Sequence, residues 1–172
     1  MLKRELSKLA IAAAVLLVPA GLSAQVAFTP AKGGYTIVFP EKPQEREVAL
    51  SPDVKETVYS VNRGDASFLA GFTEYEKDMD AAKELEADVQ SFVVQIQAHM
   101  GGRKQTIVKL ANGTNAEQVE FTFDGEKSAG RGIAIMTTPR SSIMIVGLFT
   151  KPDGKPTDVD EFVKSFKLAG QE

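Results

Sequence analysis

Apolar and polar positions alternate with a period of two along most of this chain, and the period lengthens at two places. Tyr35, Ile37 and Phe39 fall on one face of a strand that Pro40 ends, since proline cannot donate to a central ladder. Residues 45–50 and 56–62 are the next strand candidates, joined by Ser51-Pro52-Asp53. Arg63-Gly64-Asp65 reads as a tight turn into a longer strand, 66–75, apolar on both faces. From about residue 80 to residue 100 the apolar residues Leu85, Val89, Phe92, Val93 and Ile96 recur at helical spacing. That stripe predicts an amphipathic helix of about five turns, roughly 30 Å long. Asp78 or Asp80 can cap its start, and Gly101-Gly102 offers a left-handed stop.

A second β block follows. Residues 105–111 lead through Asn112-Gly113 into 117–123, Asp124-Gly125 turns that strand into 128–137, and Pro139-Arg140-Ser141 leads to 142–150. Asn-Gly and Asp-Gly favour primed hairpin turns, so the block predicts an antiparallel meander. Val119, Phe121 and Phe123 alternate with Gln118, Glu120 and Thr122, which gives that strand one wet face. Ile143, Met144, Ile145, Val146, Leu148 and Phe149 are apolar on both sides, which marks a central strand covered on both faces. After the polar loop 151–156, Thr157 and Asp160 have capping-box spacing, and Val159, Phe162, Val163 and Phe166 make a short closing helix. The expected fold class is α+β: an antiparallel sheet with helices packed on its faces.

The first 24 residues change the picture, because they are laid out as a secretory leader. Lys3, Arg4 and Lys8 form a basic start, residues 9–18 an apolar run, and Leu22-Ser23-Ala24 a small-residue cleavage site. An apolar run of about ten residues is too short to span a bilayer core of about 30 Å. The expected protein is therefore periplasmic or secreted, starts at Gln25 after cleavage behind Ala24, and keeps no stable membrane anchor. Residues 25–172 suit one domain with one core, expected to be a monomer.

The chain has no cysteine, which excludes disulfides, a thiol nucleophile, a lipid-modified cysteine and thiolate metal sites. Its formal charge is −3, and the leader carries a net +2, so the remainder carries −5. An acidic, evenly charged surface argues against nucleic acid as a partner.

Candidate chemistry is sparse. His99 is the only histidine, placed by the pattern in the last turn of the long helix, and one histidine without cysteine makes neither a zinc site nor a dyad. No Gly-x-Ser-x-Gly elbow is present. Glu74, Glu76, Asp78 and Asp80 alternate into the helix start, and Asp153, Asp158, Asp160 and Glu161 surround the second helix start. A calcium ion near Glu76 and Asp78, or near Asp153 and Asp158, stays open, although neither stretch has EF-hand spacing. Asn112-Gly113-Thr114 matches a glycosylation sequon that the hairpin explains better, and Arg63-Gly64-Asp65 is turn chemistry before it is an adhesion motif. Gly101-Gly102-Arg103-Lys104 follows a helix, so its dipole end is wrong for a phosphate. Tyr35, Tyr59 and Tyr75 lie in strands, where core packing with the hydroxyl at a sheet edge is expected. No catalytic residues, cofactor or metal are expected.

The Tyr-x-Ile-x-Phe-Pro opening (Tyr35 to Pro40), the mid-chain helix, the meander and the closing Phe-Val-Lys-Ser-Phe-Lys-Leu helix (Phe162 to Leu168) resemble the PsbP/Mog1/DcrB-like superfamily. The resemblance implies an α/β/α sandwich and an accessory or partner-binding role rather than an enzyme, with no catalytic residues to carry over. Two functions are thus expected. The first is an envelope protein that binds another protein across one sheet face or through the loops around Gly64 and Pro139, with Arg63, Asp65 and Arg140 as the partner-binding residues. The alternative is a carrier of a small hydrophobic ligand, held between the long helix and the sheet near Phe68, Phe72 and Phe92.

Overall fold

In the computed structural model, which describes residues 25–154 and 156–169, the elements are β1 (Val26–Phe28), β2 (Tyr35–Phe39), β3 (Gln44–Ser51), β4 (Val54–Arg63), β5 (Ala66–Tyr75), α1 (Ala81–Gln95), β6 (Ala98–Lys109), β7 (Asn115–Gly125), β8 (Ser128–Thr138), β9 (Ser141–Thr150), α2 (Pro156–Lys164) and β10 (Lys167–Leu168). The expected leader and its expected cleavage site lie outside the described residues. No helix among the described residues is long and apolar enough to cross a membrane.

Seven strands form one antiparallel sheet in the order β3-β4-β5-β9-β8-β7-β6. β9, apolar on both sides, takes the middle place, with Ile143 and Ile145 buried on one face and Val146 on the other. β1, β2 and β10 form a second antiparallel sheet with β2 at its centre. That small sheet and α2 cover one face of the large sheet, where Tyr35, Ile37, Phe39 and Phe162 pack with Phe68, Ile143 and Ile145. On the opposite face α1 lies over β6, β7 and β8, setting Leu85, Val89 and Val93 against Val119, Phe121, Phe123 and Val146.

The expected α+β sandwich is corrected by this arrangement. Strands take 57% and helices 17% of the described residues, so the protein is mostly β, and it is not a sheet layered between helices. A second sheet stands where a helical layer was expected. β1 and β10 have three and two residues, too few to display a two-residue period, and the pairing of Leu168 with Tyr35 is invisible to local sequence.

Both helices are shorter than their stripes. α1 starts as expected, with Asp80 Oδ1 accepting from the Lys83 N–H at 3.2 Å. It stops at Gln95 rather than at the glycines, because Gln97 adopts a left-handed φ of 56° and Ala98 already pairs with Gly125. His99 therefore lies exposed on β6, not in a helix turn. Gly101 and Gly102 form a bulge in β6 opposite Thr122. α2 ends at Lys164, and Lys167 and Leu168, read as helix, are strand.

The turns also differ in detail. At Asn112-Gly113 only Gly113 has positive φ, +82°, and its N–H donates to the Leu110 carbonyl at 2.9 Å. This is a type I turn closed by a left-handed glycine, the usual three-residue hairpin loop, not a primed turn. Asp124 and Gly125 continue β7, and the chain reverses at Glu126 and Lys127. Gly64, at φ +56°, does open a two-residue hairpin loop between Arg63 and Ala66.

Candidate functional site

α1 is 15 residues long, about 22 Å at 1.5 Å per residue, and it roofs only one end of its face. Over β3, β4 and β5 the same face stays open. The period of the strands dictates what it presents: Val54, Glu56 and Val58 of β4, Leu69, Gly71, Thr73 and Tyr75 of β5, and Ser142, Met144 and Val146 of β9. A groove of about 310 Å³ runs between this surface and α1. Val58, Leu69, Gly71, Met144 and Val146 form its floor, with Asp88, Ser91, Phe92 and Gln95 of α1 as one wall and Leu50 as the other. Val58, Leu69, Phe92 and Met144 are all half-buried, and Leu50 is 58% exposed.

Gly71 keeps the floor low. A Cβ there would sit 2.9 Å from Glu56 Oε1, so the carboxylate of Glu56 lies across the bare backbone of β5. A glycine inside a strand often marks such a close approach.

One corner of the groove is polar. The Tyr75 hydroxyl donates to Asp88 Oδ2 at 3.1 Å and lies 3.0 Å from Ser142 Oγ. With the phenolic proton given to Asp88, the hydrogen between Tyr75 and Ser142 comes from the serine, which is only 3% exposed. Burial raises the Glu56 carboxyl above its usual value, and the charge of Asp88 adds to the rise. Burial likewise raises Asp88, against the hydrogen bond from Tyr75, which favours its ionised form. Burial also pushes the Tyr75 phenol up.

Chemically this corner can hold a cation or a hydrogen-bond donor beside an apolar channel. Among the described residues no group of three or more His, Cys, Asp or Glu could hold a metal ion. The two stretches weighed for calcium are spoken for or spread apart. Asp78 pairs with Arg140, while Asp153 is an exposed loop residue and Asp158 lies on α2.

The residues singled out in sequence for partner binding do not form one surface. Arg63 and Asp65 flank the β4–β5 turn, and the Asp65 carbonyl accepts from Thr150 N–H at 2.7 Å. Arg140 sits in the β8–β9 turn, where its Nε donates to Asp78 Oδ1 at 2.5 Å. β5 pairs Ala66 with Phe149 but Glu74 with Ser141, so the two turns lie at opposite ends of the sheet, about 27 Å apart along the strand. Phe68, Phe72 and Phe92 are divided as well: the first two pack under α2 and the small sheet, and Phe92 stands on the other face. Tyr35 packs in the core as expected, but its hydroxyl is buried with the ring rather than placed at a sheet edge.

A larger cavity of about 550 Å³ opens on the face of the small sheet, lined by Arg63, Phe68, Asp158, Glu161 and Phe162. Its rim includes Gln25.

Glu56 and Asp88, the chemically distinctive residues of the groove, carry no spacing motif. The available signals were parity and phase: Glu56 shares the inward face of β4 with Val58, and Asp88 lies three residues after Leu85 and four before Phe92 on the helix stripe. Comparison with known proteins finds no matching family model and no similar curated protein, so nothing there identifies the PsbP/Mog1/DcrB-like superfamily.

Proposed function

We propose that this is a non-enzymatic binding protein of the cell envelope that carries a small, largely apolar ligand in the groove between α1 and strands β3–β5. The observation that supports it is the half-roofed sheet face: Val58, Leu69 and Met144 lie half-buried in a concave channel that α1 walls but does not close. Its volume of about 310 Å³ falls at the lower end of the range for small-molecule sites. Of the two functions expected from sequence, the carrier is preferred here for this concave channel; Arg63 and Arg140 stand at opposite ends of the sheet and do not share one docking patch. The envelope address rests on the leader at residues 1–24.

The test is titration of the purified protein with N-phenyl-1-naphthylamine, a neutral dye that fluoresces in apolar surroundings. Saturable one-to-one binding is expected. Gly71→Val, which fills the floor, should weaken it at least tenfold while the protein still melts cooperatively. Arg63→Ala and Arg140→Ala should leave it unchanged. No saturable binding, or equal binding by Gly71→Val, would remove the groove as the site.

A further inference from the structure

We infer that the groove selects an aliphatic primary amine, with the alkyl chain along Val58, Leu69, Met144 and Phe92 and the ammonium between Glu56 and Asp88. This inference deepens the carrier reading and rests on it.

Charge complementarity carries the assignment. Seven ion pairs join described side chains, and all of them lie at or near the surface: Lys32–Glu74, Lys77–Asp53, Lys83–Asp80, Arg103–Glu86, Arg131–Asp160, Arg140–Asp78 and Lys151–Asp124. Glu56 and Asp88 are more sheltered than most of these acids, yet neither has a cation within ion-pair distance among the described residues. Arg46, whose partner across β3 and β4 is Val58, is exposed and pairs with neither. Glu84, the other acid nearby on α1, only adds negative charge. Glu56 accepts no hydrogen bond from a described residue, and Asp88 accepts one side-chain bond, from Tyr75. A partly buried carboxylate without donors is unfavourable, and an ammonium brings three.

The surroundings select the rest of the ligand. Calcium asks for six to eight oxygens, and two carboxylates on an apolar channel do not supply them. An alkyl chain leading away from the ammonium would instead lie on the half-buried apolar floor. Burial raises both acids, so a bound cation draws them towards the charged form and binding is accompanied by proton release.

Calorimetric titration of the purified protein with butylamine, hexylamine, octylamine, octanol and octanoate tests this. Octylamine should bind at least tenfold more tightly than octanol, and octanoate should not bind detectably. Affinity among the amines should rise by up to about fourfold per methylene. The Glu56→Gln, Asp88→Asn double variant should bring octylamine down to the level of octanol, with octanol binding kept as proof that the groove is intact. Equal binding of octanol and octylamine overturns the amine assignment and leaves the groove reading standing. Absence of any alkyl binding, with no dependence on chain length, overturns both.

Discussion

The hydroxyl of Tyr75, at the end of β5, donates to Asp88 on the middle of α1 at 3.1 Å, thirteen residues further along the chain. This bond, with the Ser142 contact at 3.0 Å, ties the roof of the groove to two strands of its floor. Tyr75→Phe removes the shared hydroxyl and strands the buried Ser142. The expected loss is about 1–3 kcal/mol. A double-mutant cycle with Asp88→Asn should return a coupling of at least ~0.5 kcal/mol, since the two side chains touch. Additive losses would show that the bond does not hold α1 in place.

The two groove acids set a pH dependence with a definite sign. Burial raises Glu56 above its ordinary 4.5 and Asp88 above its ordinary 3.8. The folded state therefore holds protons that the unfolded chain has already released. Their effect favours folding below the unfolded values and fades as pH rises through the folded ones. Glu56→Gln should accordingly raise the melting temperature at pH 7, and the gain should shrink to nothing near pH 4. Its size is at most ~1.4 kcal/mol per pH unit of displacement, less for solvent reaching the groove. A gain that grows on acidification would reverse the sign and contradict the burial.

Two glycines illustrate different constraints. At Gly132 a Cβ would stand 2.5 Å from Phe121 Cζ and 2.6 Å from the Ile145 carbonyl oxygen. The ring of Phe121 lies over that bare backbone, and Phe92 of α1 meets it at 6.4 Å. Gly132→Ala should cost about 1–3 kcal/mol by overpacking. Gly113 has nothing within 4 Å of a Cβ, but its φ is +82°. Gly113→Ala should cost about 1 kcal/mol, from backbone strain alone. Urea denaturation of the two variants separates these cases.

Phe162 joins the two sheets. Its ring centroid lies 5.1 Å from that of Phe39 in β2 and 5.1 Å from that of Phe68 in β5, and the residue is 3% exposed. Phe162→Ala should cost about 3–5 kcal/mol and leave the opposite face undisturbed. Dye binding in the groove at temperatures below the lowered melting point checks the second half of that statement.

Much of the large sheet was legible in the sequence, because its strands are long enough to show their period. The two-sided apolar run at Ile143 to Phe149 located the middle strand, and the stripe from Leu85 to Val93 located the helix. What local sequence concealed was decided by long-range pairing. Ala98 joined β7 instead of prolonging α1, and Lys167 and Leu168 joined β2 instead of prolonging α2. Those pairings turned an expected sandwich of helices and sheet into a mostly β protein. The groove was hidden for the same reason. Glu56 and Asp88 line one groove only because β4 and α1 lie on one face, while Phe68 and Phe92, equally apolar in sequence, face opposite ways.

The most direct test uses the methionines, of which the chain has five. Met144 lies on the groove floor, whereas Met79 and Met136 border a different cavity and Met100 lies on β6. With methyl-labelled methionine, titration of N-phenyl-1-naphthylamine should shift the Met144 methyl signal and leave those of Met79, Met100 and Met136 in place. Shifts at Met79 and Met136 with Met144 still would put the ligand elsewhere and contradict the groove.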